Sequence, residues 1–530
     1  MKAPGWFRNV VLGLGSAIPF VLGTSVLAAD SVTLSYGLLE LSVSVSSLED
    51  YAYENQIDDE LAFYLDFLND DERDDFREIL TTPLDVSSVT LSQMLYAPLG
   101  ELWLERLGDV IQTQARQNGA RGLRGALILA AADEEGLTLL NVMRRFPTPT
   151  LRINSVKILD VVDTVVDLLE ETEAAIATLQ TQVQTELAAA EPIDFSQLPN
   201  LTQPGTLFWQ TQELELYDSD RDRPLPVDLY LPKSSGPNPL VVISHGFGGS
   251  RTNFVDIAQH LASHGIAVAA IEHPGSNLQQ LKNLVAGNAS ASMAANEFVD
   301  RPQDVSYLLD YLETHNQGQL ASRLDLDKIG VMGHSFGGYT ALALTGAQLN
   351  IEQLETRCAN ELTNSVNVSI PLQCLALQSQ FEQPLQDERI KAAFVFNPFT
   401  SLVFGETGLS QVRTPVFMIS GSADPIAPAL TEQIQPFAWL TPAETYLGLI
   451  QGGSHNYTAF ADLANELSGP DPTLARQYLK ALGLAFMQTH VGQQSDYGQF
   501  LQAGYAQHLS QASLPLSVMQ NLTPQGQAEP

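Results

Sequence analysis

Ser335 sits in Gly333-His334-Ser335-Phe336-Gly337-Gly338, between the apolar run Lys328-Ile329-Gly330-Val331-Met332 and the helix-compatible Tyr339-Thr340-Ala341-Leu342-Ala343-Leu344. A serine with glycines two positions away on either side fits a strand-to-helix turn so tight that only small residues can flank it. Such a turn lifts the hydroxyl clear of the sheet. The five-residue pattern is common by itself; the strand before and helix after make it a nucleophile elbow. A serine hydroxyl attacks only when a base takes its proton. His455, in Gly452-Gly453-Ser454-His455-Asn456-Tyr457, is the candidate base, just past the last apolar strand. The base needs a carboxylate to hold its tautomer and stabilise the imidazolium. Asp424, in Gly421-Ser422-Ala423-Asp424-Pro425, lies directly beyond the run Pro415–Ser420 and fits that role. Each partner has a plain structural alternative, an Asp-Pro turn and a hydrogen-bonded loop histidine. Their chain order (Ser, Asp, His) and their places after successive strands point instead to acyl transfer through a covalent intermediate.

The tetrahedral intermediate of that chemistry needs backbone N–H donors aimed at its oxygen. The sequence offers Phe336, next to the nucleophile, and Phe247 in His245-Gly246-Phe247-Gly248-Gly249, whose glycines let the chain bend close to a substrate. His245, His273 and His334 lack the post-strand position of a base and read as structural. No His or further Cys stands at ligand spacing around Cys358 and Cys374, so the reading implies no metal and no cofactor.

These residues need a sheet to position them. From Leu207 onward, short apolar runs alternate with helical segments: Leu207–Tyr217, Val227–Leu231, Leu240–Ser244, Ile266–Ile271, Lys328–Met332, Ala392–Phe396, Val416–Ile419 and Thr445–Ile450. Such alternation predicts an α/β fold, a mostly parallel sheet covered on both faces with ligands at the carboxyl ends of its strands. The first two runs, joined by Asp218-Ser-Asp-Arg-Asp-Arg-Pro, read as an antiparallel edge hairpin. The front of the chain reads as a mainly helical domain. It opens with a small hairpin (Val32 to Tyr36, Leu39 to Val45), a capping box at Ser46-Ser47-Leu48-Glu49 and an amphipathic helix through Leu61, Tyr64, Leu65 and Leu68. The expected division is a signal at 1–28, the helical domain at 29–187, a Pro-rich linker at 188–205, the catalytic domain at 206–492 and a tail at 493–530. A cap-like insertion at about 350–389 carries both cysteines.

Several stretches resemble the plasma-type platelet-activating-factor acetylhydrolases: Ile243-Ser-His-Gly-Phe-Gly-Gly-Ser-Arg-Thr, Leu261-Ala-Ser-His-Gly-Ile-Ala-Val-Ala-Ala-Ile-Glu-His, Gly333-His-Ser-Phe-Gly-Gly and Gly453-Ser-His-Asn-Tyr-Thr-Ala-Phe. The resemblance covers about 205–490. It implies an α/β-hydrolase fold and metal-free cleavage of short or oxidised acyl esters, with a small-molecule or lipid ester as substrate. The whole arrangement, signal and helical front included, is similar to secreted α/β-hydrolases of cyanobacteria. Two departures stand out. The acetylhydrolases place their acid beyond the strand that follows the nucleophile helix, where this chain reads Phe394-Val395-Phe396-Asn397-Pro398. Asn397 cannot be a carboxylate, so Asp424 takes the role, as in dienelactone-hydrolase-like enzymes. Those enzymes typically carry a cysteine nucleophile where this chain has Ser335.

Composition bounds the rest. The chain has 530 residues, 44% of them hydrophobic, with 26 Lys+Arg against 61 Asp+Glu and a net charge of −35. A polyanion of that kind has too few cations to displace the counterions of nucleic acid, so a nucleic-acid partner is excluded. Lys2 and Arg8 precede an uncharged run, Val10 to Leu27, and Val26-Leu27-Ala28-Ala29 reads as a cleavage site. That predicts export to a periplasm, lumen or exterior. The same run approaches the length of a retained anchor. An oxidising compartment permits a Cys358–Cys374 bridge, with two separate buried thiols as the alternative. Arg116, Arg121, Arg124, Arg144, Arg145, Arg152 and Lys157 either pair with the acidic helix surfaces or touch phosphate headgroups, which would give the front domain a peripheral membrane contact. Besides an esterase, the chain admits a lipase or peptidase on the same fold, or a non-catalytic envelope scaffold.

Overall fold

Alternating apolar residues at the front of the chain pair with one another, as their period of two predicts. In the computed structural model, which describes residues 29–520 apart from 37–38, 67, 85, 97, 286–290, 366, 380–383, 443 and 456–471, β1 (Ser31–Tyr36) and β2 (Leu39–Ser44) run antiparallel with Val32 opposite Val43. The expected signal at 1–28 lies outside the described residues. Contacts divide the chain into two compact units, Met1–Leu95 with Trp103–Leu159, and Tyr96–Leu102 with Asp160–Pro530.

In the smaller unit the expected hairpin is part of a larger sheet that accompanies the helices. This sheet has four strands ordered β2-β1-β4-β3, in which β3 is Ile111–Gln112 and β4 is Thr150–Asn154. β4 runs parallel to β1, Ser31 facing Thr150, so the pairing joins residues more than a hundred positions apart. No local period announces such a contact. Helices including Val45–Glu54, Asp59–Leu65, Asp70–Thr81, Ala120–Ala131 and Leu139–Arg145 accompany the sheet; Leu48, Tyr51, Leu80, Leu123, Leu140, Phe146 and Leu151 form the unit's core. The first helix is capped by Ser44, whose side chain accepts from the N–H of Ser47. The capping box expected at Ser46 to Glu49 therefore lies inside the helix. The basic stretch is largely paired within the unit: Arg116 and Arg152 both reach Glu40 at 2.6 Å, Arg144 bridges Glu49 and Glu135, Arg145 meets Asp133, and Lys157 stands 3.8 Å from Asp109.

The larger unit is built on nine strands in the order β13-β12-β11-β10-β9-β7-β8-β6-β5. They are β5 (Trp209–Asp218), β6 (Arg223–Pro232), β7 (Asn238–Ser244), β8 (Ala267–Ile271), β9 (Leu324–His334), β10 (Ile390–Phe396), β11 (Val416–Gly421), β12 (Thr445–Ile450) and β13 (Leu516–Gln520). From β8 through β12 every neighbouring pair is parallel, while β5, β6 and β13 are antiparallel to their neighbours. The expected edge hairpin is thus β5–β6.

Strands buried on both faces carry unbroken apolar runs, and their residues divide strictly by parity. Leu240 and Val242, Ala393 and Val395, Val416 and Met418 enter one core with the helices Ala291–Asn316 and Phe336–Leu344. Val241 and Ile243, Phe394 and Phe396, Phe417 and Ile419 enter the other with Val255–Ser263 and Thr473–His490.

Two boundaries differ from those expected. The helix Ser155–Ala189 places Leu179 and Val183 in the first of these cores, so the division falls near residue 160 rather than in the linker. Residues 493–520, expected as a tail, form a 3-10 turn (Ser495–Leu501), a helix (Ala503–Leu509) and the edge strand β13. The insertion folds as the helices Ile351–Asn364 and Ile370–Cys374, joined by a Cys358–Cys374 disulfide. Buried Glu432 anchors it: the carboxylate accepts from Asn367, Ser369 and Gln373 of the insertion and from Thr400 and Ser401 after β10. No helix among the described residues is long and apolar enough to cross a membrane.

Candidate active site

Backbone geometry at the end of β9 explains the glycines around Ser335. The chain leaves His334, turns at Ser335 with φ 53° and ψ −115°, and enters the helix at Phe336. A non-glycine residue held there is strained and needs its surroundings to enforce the turn. The Ser335 N–H is fixed to the carbonyl of Phe396 at 3.0 Å. A Cβ added at Gly333 would sit 2.0 Å from the carbonyl oxygen of Gly337, and one at Gly337 would sit 2.0 Å from that of Ser244. Both positions exclude any side chain.

The three sequence-predicted side chains meet. His455, five residues past β12, places Nε2 3.0 Å from Ser335 Oγ and Nδ1 2.7 Å from Asp424 Oδ2. Asp424, three residues past β11, has a fully buried carboxylate, and its Oδ1 accepts from the N–H groups of Ile426 and Ala427, each at 2.8 Å. Its position is therefore set by its own loop. Ser335 is nearly buried, with 7% of its surface exposed.

Phe336 is the first residue of its helix, so its N–H has no acceptor within the helix and lies at the positive end of the helix dipole. Phe247 stands beside it with ring centroids 6.5 Å apart. The loop carrying Phe247 is tied down by Gly248 N–H to the Ser276 carbonyl at 2.8 Å and Gly249 N–H to the Gly246 carbonyl at 3.0 Å.

Beneath this loop lies a buried polar network that sequence reasoning missed. Arg301, fully buried on the helix Ala291–Asn316, donates to the His245 carbonyl, to Ser244 Oγ at 3.2 Å and to Ser276 Oγ at 3.1 Å. Its guanidinium lies 4.6 Å from the centre of the Phe336 ring. Burial pulls its pKa down to about 10, against the opposing pull of Glu297 and Asp304. His273 Nδ1 donates to Asp304 at 2.9 Å, and His245 Nε2 accepts from the His273 N–H at 3.0 Å. Burial, reinforced by the Arg301 cation, holds both imidazoles far below the ordinary histidine range, so they are neutral. Glu297 and Asp304 receive Arg223. Nothing in the sequence flags Arg301, because its burial is a tertiary fact. His334 is likewise buried and held neutral by burial and by its proximity to His455. Among the described residues no group of acidic, Cys and His side chains has the arrangement of a metal site.

A family model described as an α/β-hydrolase of unknown function (DUF1400) matches residues 28–154, which take in most of the smaller unit and Tyr96–Leu102 of the larger. A model described as chlorophyllase matches residues 198–360, from before β5 past the helix that follows Ser335. The chain is 23% identical over 304 residues to a platelet-activating factor acetylhydrolase of Bos taurus, covering 49% of this chain and 59% of that protein. It is 31% identical over 180 residues to the protein of that name from Canis lupus familiaris, covering 28% and 38% respectively. Cutinase 2 of Thermobifida cellulosilytica is 23% identical over 283 residues, covering 52% of this chain and 77% of that one. The chain thus spans 59% of the length of its bovine relative. With the sheet order above, these likenesses give the larger unit the α/β-hydrolase fold.

Proposed function

We propose that the chain is an exported serine hydrolase of carboxylic esters, acting on short-acyl or phospholipid-type esters through Ser335, His455 and Asp424. The observation that carries this reading is the hydrogen-bonded chain Ser335 Oγ, His455 and Asp424 at 3.0 and 2.7 Å, assembled beyond the ends of β9, β12 and β11 of one sheet. In the reaction, His455 Nε2 takes the Ser335 proton as Oγ attacks the ester carbonyl, and Asp424 holds the opposite N–H and stabilises the imidazolium. The N–H groups of Phe336 and Phe247 receive the developing oxyanion. Collapse expels the alcohol, which takes its proton from His455, and leaves an acyl-serine. Water, deprotonated by His455 in turn, releases the acid. The names of the relatives support an ester, and that of the acetylhydrolases supports a short acyl group. The Cys358–Cys374 bridge supports an oxidising, exported location.

The test is hydrolysis of acetyl, butyryl, octanoyl and palmitoyl esters and of a phosphatidylcholine with a short second chain, with Ser335→Ala alongside. A rate that collapses in the variant and favours short acyl groups is expected. Preference for long chains would make the enzyme a lipase. Failure of the wild-type protein to hydrolyse any ester or react with a fluorophosphonate would refute the catalytic reading in favour of a scaffold.

A further inference from the structure

The loop that carries His455 is gripped from outside at three successive carbonyls. The oxygen of Gly453 accepts from the N–H of Ala423 at 2.9 Å. That of Ser454 accepts from Asn397 Nδ2 at 2.9 Å. That of His455 itself faces His334 Nε2 at 2.8 Å. A carbonyl oxygen only accepts, so His334 carries its proton on Nε2.

We propose that His334 and Asn397 are positioning residues that set the backbone of His455, and with it the placement of the imidazole between Ser335 and Asp424. The inference rests on the reading of those three residues as a triad. The carbonyls of Ser454 and His455 belong to the two peptide planes that flank the His455 Cα. Pinning one atom of each plane restricts φ and ψ of His455, and these fix the direction of its Cβ. The two side chains come from the two strand ends nearest the nucleophile: His334 closes β9, one residue before Ser335, and Asn397 directly follows β10. Asn397 is fully buried and reaches both the base loop and the strand that precedes the acid. Its Nδ2 holds the base loop, and its Oδ1 accepts from the N–H of Gly421, the last residue of β11 and three before Asp424. Its backbone sits at φ 45°, a left-handed conformation that asparagine tolerates better than most residues. A single planar amide therefore couples the acid's strand to the base's loop.

The test compares Asn397→Gly, which keeps the left-handed backbone and deletes both bonds, with His334→Leu and His334→Gln on a short-acyl ester. A displacement of the base by a fraction of an ångström to an ångström predicts a kcat about 10- to 100-fold lower in Asn397→Gly and in His334→Leu, with KM unchanged. The low-field N–H proton resonance of an imidazole bonded to a carboxylate should weaken or vanish in both. His334→Gln, whose Nε2 reaches the same carbonyl, should recover most of the lost rate and the resonance. Wild-type kcat in Asn397→Gly with Ser335→Ala inactive would overturn the clamp and leave the triad standing. Turnover surviving Ser335→Ala would remove the triad, and the clamp with it. Should His334→Leu fail to fold, Asn397→Gly decides the matter alone. A loss confined to KM would also overturn the inference.

Discussion

Replacing Asp424 by Asn and by Ala should move activity and stability in opposite orders. In the wild-type protein Asp424 Oδ1 takes two backbone N–H groups, from Ile426 and Ala427, while Oδ2 takes His455 Nδ1. Asparagine has one oxygen, and the two N–H groups will claim it. Its NH2 is then turned toward His455 Nδ1, which must accept and so moves the imidazole proton to Nε2. That nitrogen can no longer take a proton from Ser335, 3.0 Å away. A wrong tautomer of this kind costs about 10⁴-fold in kcat, equivalent to about 5.5 kcal/mol of barrier. Alanine imposes no tautomer and should be no less active than Asn. It does leave the buried Ala427 N–H and the partly exposed Ile426 N–H without their acceptor, at about 2–4 kcal/mol of stability together, where Asn loses only the charge assistance. Esterase kinetics and urea unfolding of the two variants decide the issue. An Asn variant within tenfold of wild type would refute the reasoning, as would an Ala variant more than tenfold slower than Asn.

Reduction of the Cys358–Cys374 bridge, or Cys358→Ser with Cys374→Ser, should lower stability by about 3 kcal/mol, the chain-entropy value for a loop of this separation. An unchanged urea midpoint and an unchanged acyl-chain profile would remove any bracing role. Glu432→Gln should cost about 3 kcal/mol, because an amide turned toward Asn367 and Gln373 strands two buried donors, and limited proteolysis should open the insertion. Near-native stability in that variant would contradict the assigned network. Side-chain bonds to Arg152 and Arg116 hold Glu40 down at about 2, below its usual 4.5. The unfolded chain thus binds the proton first, and this contribution is present above about 4.5 and lost as pH falls toward 2. Glu40→Gln should flatten the acid limb of the smaller unit's unfolding curve, and an identical limb would refute the pairing.

What was legible in the sequence divides along a physical line. The elbow was readable because its turn imposes a local steric rule on position 333, where a side chain would meet Gly337, although the rule at 337 comes from Ser244 of β7. Asp424 was readable for a similar reason, since the loop beyond β11 supplies its own N–H donors. Strands of the parallel sheet were readable from apolar runs, although β9 extends from Leu324 to His334 where the run suggested Lys328–Met332. Its first residues alternate apolar and acidic, and Leu324 and Asp325 pair with β7 alone, opposite Asn238 and Pro239. β4 and β13 escaped notice because each is a short strand whose partner is far away or already formed. Burial of charge was the least legible feature. Arg301, Glu297 and Asp304 have the composition of any solvated helix face, and nothing in their spacing separates them from Asp310 or Glu313, which are surface residues.

In the proposed triad, an acid beyond β11 and the clamp on the base are two sides of one constraint. A carboxylate at position 397 could still accept from Gly421 N–H, but when ionised it would have no hydrogen for the Ser454 carbonyl, and two oxygens would face each other at about hydrogen-bond distance. An amide at that position is compatible with the base loop only because the acid is supplied elsewhere. Asp424 in turn needs no help from position 397 beyond the Gly421 bond that aligns its strand end. The three strand ends therefore hold the His455 loop together: β9 presents Ser335 and grips the loop through His334, β10 grips it through Asn397, and β11 presents Asp424 and grips it through Ala423. Restoring a carboxylate at 397 in an Asp424→Asn background would supply a charge but break the grip. In the proposed triad the place of the acid is thus set by what the base loop requires of its neighbours as much as by the proton it must hold.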